Sequence, residues 1–245
     1  MTVLLIILIL FPVGGESSFP GDREFFGMNY PAAIDSYRVS MTHDPGNPEL
    51  YWRLARAYVT SGEVAPDSER EALYRKAEHY ARMCVALDST KAEGHTWLAA
   101  ALGNIALFVG GKTKIRLANE IKDELDRALS LRDDDDVTWS ILGSFYYSLG
   151  SVSWFERQLA SLFLSRIPEG GFEESERAFK RAIELAPDTP RHRFELGKLY
   201  LDSGREEEGY RLFESALGLA PTAAGDTMAR RIMLETLRER PVNGH

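Results

Sequence analysis

The sequence predicts an all-α fold arranged as a solenoid of stacked helix pairs, and two observations indicate this fold class. No segment shows the alternation of apolar and polar residues that is typical of a strand, and no long linker divides the chain. A pattern of large and small residues also returns with a period of about 34 residues, the length of a tetratricopeptide repeat (TPR). The predicted fold is a TPR α-solenoid of four repeats with insertions, a preceding half-repeat and a C-terminal capping helix.

The clearest repeat lies near the C-terminal end, where Pro187 and Pro221 stand 34 residues apart. The residues at the defining positions between them are Leu196, Gly197, Tyr200, Gly209, Phe213 and Ala216. In such a repeat, large and small residues of the first helix, helix A, interlock with small and aromatic residues of the second, helix B. The proline ends the unit, because a helix interior does not tolerate it.

Three more repeats and a half-repeat precede this one. The half-repeat contains Ala33, Tyr37 and Ser40. In the three full repeats, the motif of helix A begins at Tyr51, His95 and Trp139. The motif of helix B begins at Ala77, Ile121 and Ser175. These A and B motifs are farther apart than the roughly 16 residues of a bare repeat. Insertions of about ten residues are therefore predicted at 61–70 and around 108–114, and one of about 20 at 151–170.

The C-terminal segment 226–240 is predicted to be the capping helix. It carries four arginines and, at helical spacing, Met228, Ile232, Met233, Leu234 and Leu237. A stack of repeats needs a terminal element with a polar outer face. Residues 24–240 are therefore predicted to form one TPR domain, preceded by a signal-like or anchor segment with a spacer over 1–23 and followed by a tail over 241–245.

The N-terminal segment differs from the rest of the chain. Val3 to Val13 is a continuous apolar run, followed by Gly14 and Gly15, and no Lys or Arg precedes it. The run is shorter than the about 20 residues that span a bilayer as a helix. It has the length of the apolar part of a secretory signal, and the glycines provide small residues for cleavage. Removal of residues 1–15 would make the protein secreted or periplasmic; the alternatives are a membrane anchor and a buried segment.

Composition excludes several classes of function. The 29 Lys and Arg against 37 Asp and Glu give a net charge of −8, which disfavours nucleic acid as a partner. Hydrophobic residues make up 44% and charged residues 27%, as expected of a water-soluble, ordered protein. Cys84 is the single cysteine, so an intramolecular disulfide and a cysteine-cluster metal site are both excluded.

No residue pattern indicates an enzyme, a cofactor or a metal site. The stretch Gly110–Thr113 ends like a phosphate-binding loop but lacks the preceding glycine and strand. The acidic run Asp133–Asp136 lacks the glycine and alternating ligands of a calcium loop, and is predicted to cap the helix that follows. His95 occupies a packing position, and no histidine has a second ligand at metal-binding spacing. Cys84 stands where the repeat places a small buried residue, and no Ser/His/Asp or Cys/His set is present.

The sequence does predict a groove, because helix A positions 5, 9, 12 and 13 of a TPR array line its concave face. The bulky or basic residues at these positions of the outer repeats include Trp52, Arg56, Phe194 and Lys198. The inner repeats carry the smaller residues Ala100, Asn104, Ser140 and Ser144, together with Tyr147. The predicted site is a central hollow between aromatic and basic ends.

The long insertion bears on this hollow. Phe155, Leu159, Leu162, Phe163 and Ile167 recur at helical spacing beside Trp154, which predicts an amphipathic helix. Two interpretations stay open. The helix either fills the hollow as core, or Trp154 and Phe163 help to wall a pocket for an apolar ligand or a partner helix.

Several of these segments resemble one protein family. His95–Trp97, Gly111–Ile115, Ser153–Arg157 and Leu162–Phe163 are similar to segments of the regulator of microtubule dynamics family, and the similarity runs from about Leu50 to Pro221. The insertions fall at the family's places. The resemblance implies a helical, non-enzymatic adaptor. It also implies, for eukaryotic members, links to microtubules and to mitochondrial and endoplasmic-reticulum membranes, and a repeat domain connected with lipid binding.

Two functions follow as expectations. The first is an adaptor that binds a protein segment or peptide in the concave groove. The alternative is a carrier of an apolar ligand such as a phospholipid, with Arg56, Lys198 or Lys114 near the phosphate. Association with a membrane through the N-terminal segment is compatible with either function.

Overall fold

The computed structural model describes residues 19–151 and 168–240, and it confirms the all-α TPR fold. Within these ranges every regular element is a helix. The helices are α1 (Asp22–Phe26), α2 (Tyr30–His43), α3 (Pro48–Val64), α4 (Asp67–Leu87), α5 (Ala92–Ile105), α6 (Gly111–Leu131), α7 (Asp136–Gly150), α8 (Phe172–Leu185), α9 (Pro190–Asp202), α10 (Glu206–Leu217) and α11 (Gly225–Arg238). No described helix is long and apolar enough to cross a membrane.

The four repeats are the antiparallel pairs α3–α4, α5–α6, α7–α8 and α9–α10, which share the most extensive helix contacts. The predicted register is confirmed by the close approach of helices A and B. A Cβ placed on Gly197 would lie 2.6 Å from the ring of Phe213, and one on Gly143 would lie 2.6 Å from the ring of Phe179. A small residue on helix A is therefore required where an aromatic ring of helix B packs against it.

The first insertion lengthens helices instead of forming a loop. Helix α3 ends at Val64 and α4 begins at Asp67, so these helices reach 17 and 21 residues. The second insertion lengthens α6 to 21 residues and leaves a short connection after Ile105. Most of the third insertion, residues 152–167, lies outside the described residues.

Helix starts follow the polar residues in the sequence. The carboxylate of Asp135 accepts a hydrogen bond from the backbone N–H of Thr138 at 2.9 Å, so the acidic run caps α7 as predicted. The side-chain amide oxygen of Asn47 accepts from the N–H of Glu49 at 3.0 Å at the start of α3. These contacts satisfy N–H groups that have no partner within the helix.

Cys84 and His95 are both buried, as predicted. Burial, together with the charges of Glu49 and Glu93, raises the pKa of the Cys84 thiol to about 12. His95 lies with Nδ1 2.5 Å from a carboxylate oxygen of Glu124 and Nε2 3.0 Å from the carbonyl oxygen of Ser89. Both side chains belong to the packing of the first two repeats.

The N-terminal helix α1 lies where sequence analysis predicted a spacer. Asp22 is only 4% exposed, and it accepts a hydrogen bond from the hydroxyl of Tyr37. The guanidinium groups of Arg53 and Arg56 each approach the Asp22 carboxylate to 3.2 Å. Phe19 and Asp22 are thus part of the packed structure, and residues 1–18 of the predicted signal or anchor segment lie outside the described residues.

The two ends of the solenoid touch. A carboxylate oxygen of Glu63 in α3 lies 2.9 Å from a guanidinium nitrogen of Arg191 in α9. The backbone N–H of Ala224, just before α11, donates to the hydroxyl of Tyr30 in α2 at 3.0 Å. Helix α11 also packs on α3, α9 and α10. The lengthening of α3 by the first insertion places Glu63 at this contact.

Candidate functional site

The A helices α3, α5, α7 and α9 carry the residues predicted to line the groove. The structure divides those residues into two groups. Trp52, Arg56, Ala100 and Phe194 are buried or nearly so, whereas Asn104, Ser140, Ser144, Tyr147 and Lys198 are partly or fully exposed. The open group and its neighbours form the central concave surface, defined here as Gly103, Asn104, Ser140, Ser144, Tyr147, Ser148, Lys198 and Asp202.

The predicted aromatic and basic end at Trp52 and Arg56 is closed by α1. The Arg56 guanidinium lies 3.8 Å above the ring of Phe25, and it pairs with Asp22. Trp52 donates its indole N–H to Glu49 at 2.9 Å. Arg56 therefore neutralises a buried carboxylate, and this pairing weighs against the expectation that Arg56 holds a ligand phosphate.

The other predicted end, at Phe194, is closed by α11. The Phe194 ring stacks on Phe213 with centroids 5.7 Å apart, and both belong to one cluster with Ala229 and Met233 of α11. Phe194 is 4% exposed, so it supports the capping helix. The bulky residues at both ends are thus buried in the hydrophobic core of the terminal repeats. The small residues of the middle repeats remain accessible.

The central concave surface is polar and satisfies its own hydrogen bonds. Ser144 donates to the carbonyl of Ser140 at 3.1 Å, and Ser148 donates to that of Ser144 at 3.0 Å. Asn104 likewise donates to the carbonyl of Ala100, one turn earlier on its own helix, at 2.9 Å. Apart from adjacent residues and the local backbone of its own helix, no atom of the described residues lies within 4 Å of a Cβ placed on Gly103. The middle of this surface therefore has room for a ligand side chain and carries no charged side chain.

One rim of the surface is charged. The Tyr147 hydroxyl donates to the carboxylate of Asp202, across from α7 to α9. Burial and this carboxylate raise the pKa of Tyr147 to about 12, so the phenol keeps its proton. The Lys198 ammonium lies 5.5 Å from the Tyr147 ring and 5.4 Å from the Phe194 ring, and pairs with Glu195 at 3.2 Å. The rim presents a cation and a carboxylate side by side.

Two predicted site residues, Trp154 and Phe163, lie outside the described residues. Lys114 is exposed on α6, which is a B helix, and not on the concave A helices. No group of three or more His, Cys, Asp or Glu side chains suited to a metal ion occurs in 19–151 and 168–240. Among the residues predicted to line the groove, those that remain accessible are therefore the ones on the central concave surface.

Sequence reasoning missed two residues that hold the terminal elements beside this surface. Asp22 stands in a segment that reads as a turn, and no local pattern pairs it with Arg53 and Arg56 some 30 positions away. Glu63 lies in an insertion, where the repeat pattern assigns no role. The helical continuation of α3 through the insertion is the one sequence feature that could have suggested a contact beyond the first repeat.

The fold defines the class of protein: a TPR solenoid. A solved structure with the same fold is a thermophilic TPR protein of Thermus thermophilus, with a TM-score of 0.68 and 20% identity, covering 89% of this chain and 95% of that chain. At this identity the likeness shows the fold alone.

Within this class, the chain belongs to the family described as Regulator of microtubule dynamics protein 1–3, whose model matches residues 23–240. The mouse Regulator of microtubule dynamics protein 1 is 30% identical over 156 residues, which cover 62% of this chain and 51% of the relative. The human Regulator of microtubule dynamics protein 2 is 26% identical over 194 residues, 76% of this chain and 46% of the relative. The chain spans about half the length of these relatives, and the predicted family resemblance is confirmed.

Proposed function

We propose that this protein is a non-enzymatic adaptor that binds a segment of another protein on the central concave surface. The observation that carries the proposal is the difference in exposure between the outer and the middle A helices. The terminal elements α1 and α11 cover the bulky residues of the outer repeats, whereas the small polar residues around Ser144 stay accessible. Self-satisfied hydroxyl groups can be covered by a partner at little desolvation cost, because their hydrogen bonds within the helix persist.

The charged rim supports a peptide-like occupant. Lys198 and Asp202 lie on one helix at the edge of the surface, where they can pair with a side chain or backbone group of an extended or helical segment. Rim charges set orientation and association rate more than affinity. The small residues in the middle then admit the larger side chains of the partner.

The substitution Ser144→Trp tests the proposal. Ser144 is exposed, so the fold and its melting temperature should survive, while the indole occupies the space that a partner needs. Ser130→Trp, at an exposed serine of the B helix α6, is the matched control. Crosslinking in the source cells followed by affinity purification should recover a protein partner with the parent and the control, and not with Ser144→Trp. Retention of the same partner by Ser144→Trp would place the binding surface elsewhere.

The alternative function is a carrier of an apolar ligand such as a phospholipid. Its phosphate would have to be held by Lys198, since Arg56 is paired with Asp22. Organic extraction and native mass spectrometry of the purified protein distinguish the two functions. Lipid that co-purifies with the parent and with Ser130→Trp, but not with Ser144→Trp, supports the carrier.

Microtubules are the first macromolecular partner to test, because the relatives are named for microtubule dynamics. Cosedimentation with purified microtubules at low and moderate salt measures this directly. The net charge of −8 opposes binding to an acidic polymer, so any binding should depend on a defined surface and disappear in Ser144→Trp.

Residues 1–15 are proposed to act as a cleaved signal, with a membrane anchor as the alternative. The support is the length of the apolar run and the glycines after it. Fractionation of the source cells, followed by sequencing of the mature N-terminus, tests both. A mature chain that starts near residue 16 in the soluble extracytoplasmic fraction supports the signal, and an intact chain in the membrane fraction supports the anchor.

A further inference from the structure

A cavity of about 360 Å³ opens next to helices α2, α3 and α4. Its lining residues are Arg38, Tyr58, Arg75, Lys76, His79 and Tyr80, none of which is acidic. Five of the six lining residues lie on α2 and α4, whereas the central concave surface lies on α5, α7 and α9, so the two sites are separate. Its volume is in the range of sites that take small ligands.

Two tyrosines form an aromatic wall of this cavity. The rings of Tyr58 and Tyr80 stack with centroids 5.5 Å apart and an interplanar angle of 3°. Tyr58 is 6% exposed, so its position is fixed by the core, and Tyr80 is half-buried. The ring of Tyr58 is thus covered and supports that of Tyr80, whose exposed part offers apolar aromatic surface to a ligand at low entropic cost.

Basic side chains cluster around this wall, although the protein has a net charge of −8. Arg75 is paired with Glu71 at 3.0 Å. Within the described residues, no carboxylate lies within 4.0 Å of the charged groups of Arg38 or Lys76. The Lys76 ammonium instead lies 5.6 Å from the centroid of the Tyr58 ring. Two uncommitted cations at one cavity concentrate positive potential where a compact anion would enter.

We propose that this cavity binds an organic phosphate, with its phosphate between Arg38 and Lys76 and its organic part against the exposed part of the Tyr80 ring, which Tyr58 supports. A phosphate monoester matches these groups because it combines a compact charge of nearly −2 with several acceptor oxygens. The arginine fork can engage two of those oxygens, and the lysine supplies a point charge. The same chemistry is found in a free organophosphate and in the headgroup of a lipid.

Titration of the full chain with phenyl phosphate, followed by calorimetry at low ionic strength, tests this assignment. We expect saturable binding that is several-fold tighter than that of inorganic phosphate, because only the former has a ring to place on the tyrosines. The double variant Arg38→Gln/Lys76→Gln should lose tenfold or more in affinity. Both positions are exposed, so circular dichroism should show an unchanged fold.

The matched control is Arg116→Gln/Arg177→Gln, which removes the same charge at side chains that are 67% and 68% exposed on α6 and α8. Its affinity for phenyl phosphate should change less than twofold. Equal losses in the two double variants, or the absence of saturable binding by the parent, would overturn the proposal.

Flotation with phosphatidylcholine vesicles, with and without phosphatidic acid, identifies the source of the phosphate. Binding that requires phosphatidic acid, is competed by phenyl phosphate and is lost in Arg38→Gln/Lys76→Gln assigns a lipid headgroup. Saturable phenyl phosphate binding without vesicle binding assigns a free organophosphate. Either result supports the cavity as the site, and neither depends on the function proposed for the concave surface.

Discussion

Gly197 shows how closely the helices of a repeat approach each other. A Cβ at this position would lie 2.6 Å from the ring of Phe213 and 3.3 Å from the carbonyl oxygen of Gly209. Gly197→Leu should therefore lower the free energy of unfolding by about 1–3 kcal/mol or more, since the added atoms overpack the contact between helices A and B. Urea denaturation measures this.

Gly103→Leu is the control for this substitution, because Gly103 also lies within an A helix but, apart from adjacent residues and the local helix backbone, no described atom lies within 4 Å of its Cβ position. The gain in helix propensity, about 1 kcal/mol, should offset any loss there. If Gly197→Leu were as stable as Gly103→Leu, the assigned register of the last repeat would be wrong.

His95 gives the stability of the protein a predictable dependence on pH. Burial opposes its charge, but hydrogen bonds to the Glu124 carboxylate and the Ser89 carbonyl prevail and raise the pKa of His95 above its ordinary value. A raised folded-state pKa contributes stability that is complete below about pH 6.5 and is lost as the pH rises through the folded-state value. The unfolding free energy should fall over that window.

The variants His95→Gln and His43→Gln separate this contribution from other titrations. His43 is exposed at the end of α2, and His43→Gln is the control for the loss of an imidazole. His95→Gln should flatten the profile above about pH 6.5. A profile that is unchanged in His95→Gln contradicts the assignment.

At the scale of the element, α1 is a five-residue helix that packs through charge as much as through apolar surface. Asp22, Arg53 and Arg56 have side-chain exposures of 6%, 12% and 13%. Asp22→Asn keeps the shape and removes the charge, so the buried Arg56 guanidinium loses its carboxylate partner and Arg53 keeps only Glu49, at 2.6 Å. We expect a loss of about 3 kcal/mol in unfolding free energy.

Glu24→Gln is the control for Asp22→Asn because it lies on the same helix. Glu24 pairs with Arg23, which is 95% exposed and 3.8 Å away, so a change below about 0.5 kcal/mol is expected. Thermal unfolding of both variants at neutral pH is the measurement. A loss for Asp22→Asn as small as that for Glu24→Gln would show that α1 is not held by this ion-pair cluster.

The elements could be predicted from sequence where the repeat pattern is local. The spacing of Gly197 to Phe213 fixes one pair of helices, and polar residues such as Asp135 mark where helices begin. The short helix at Asp22 could not be predicted in this way, because its stability comes from partners that lie some 30 residues later. The candidate site, too, could be predicted only in part. Ser140 and Ser144 lie on the accessible surface, whereas Arg56 is covered by α1, a helix that no periodicity in the sequence indicates.

At the scale of the whole molecule, the contact between Glu63 and Arg191 joins the first repeat to the last. A double-mutant cycle with Glu63→Gln, Arg191→Gln and the double variant should give a coupling energy of about 1 kcal/mol, because each side chain keeps roughly a third of its exposure. Amide hydrogen exchange in α11 should rise in both single variants, while exchange in α6 should not.

The exposed pair Arg75–Glu71 on α4 provides the reference for this cycle, since its partners are one turn apart on one helix and 49% and 45% exposed. Its coupling should stay near about 0.3–0.5 kcal/mol, with no effect on exchange in α11. A coupling between Glu63 and Arg191 no larger than this would mean that the ends meet without stabilising each other.

The hydrogen bond between Tyr30 and Ala224 joins residues 194 positions apart in the chain, so we expect it to form late in folding. Repeats fold through their nearest neighbours, so the transition state for folding can form before the two ends meet. An interaction that is absent from the transition state leaves the folding rate unchanged and slows unfolding instead. We therefore expect the contact between the two ends to lengthen the lifetime of the native state and to oppose fraying of the terminal repeats.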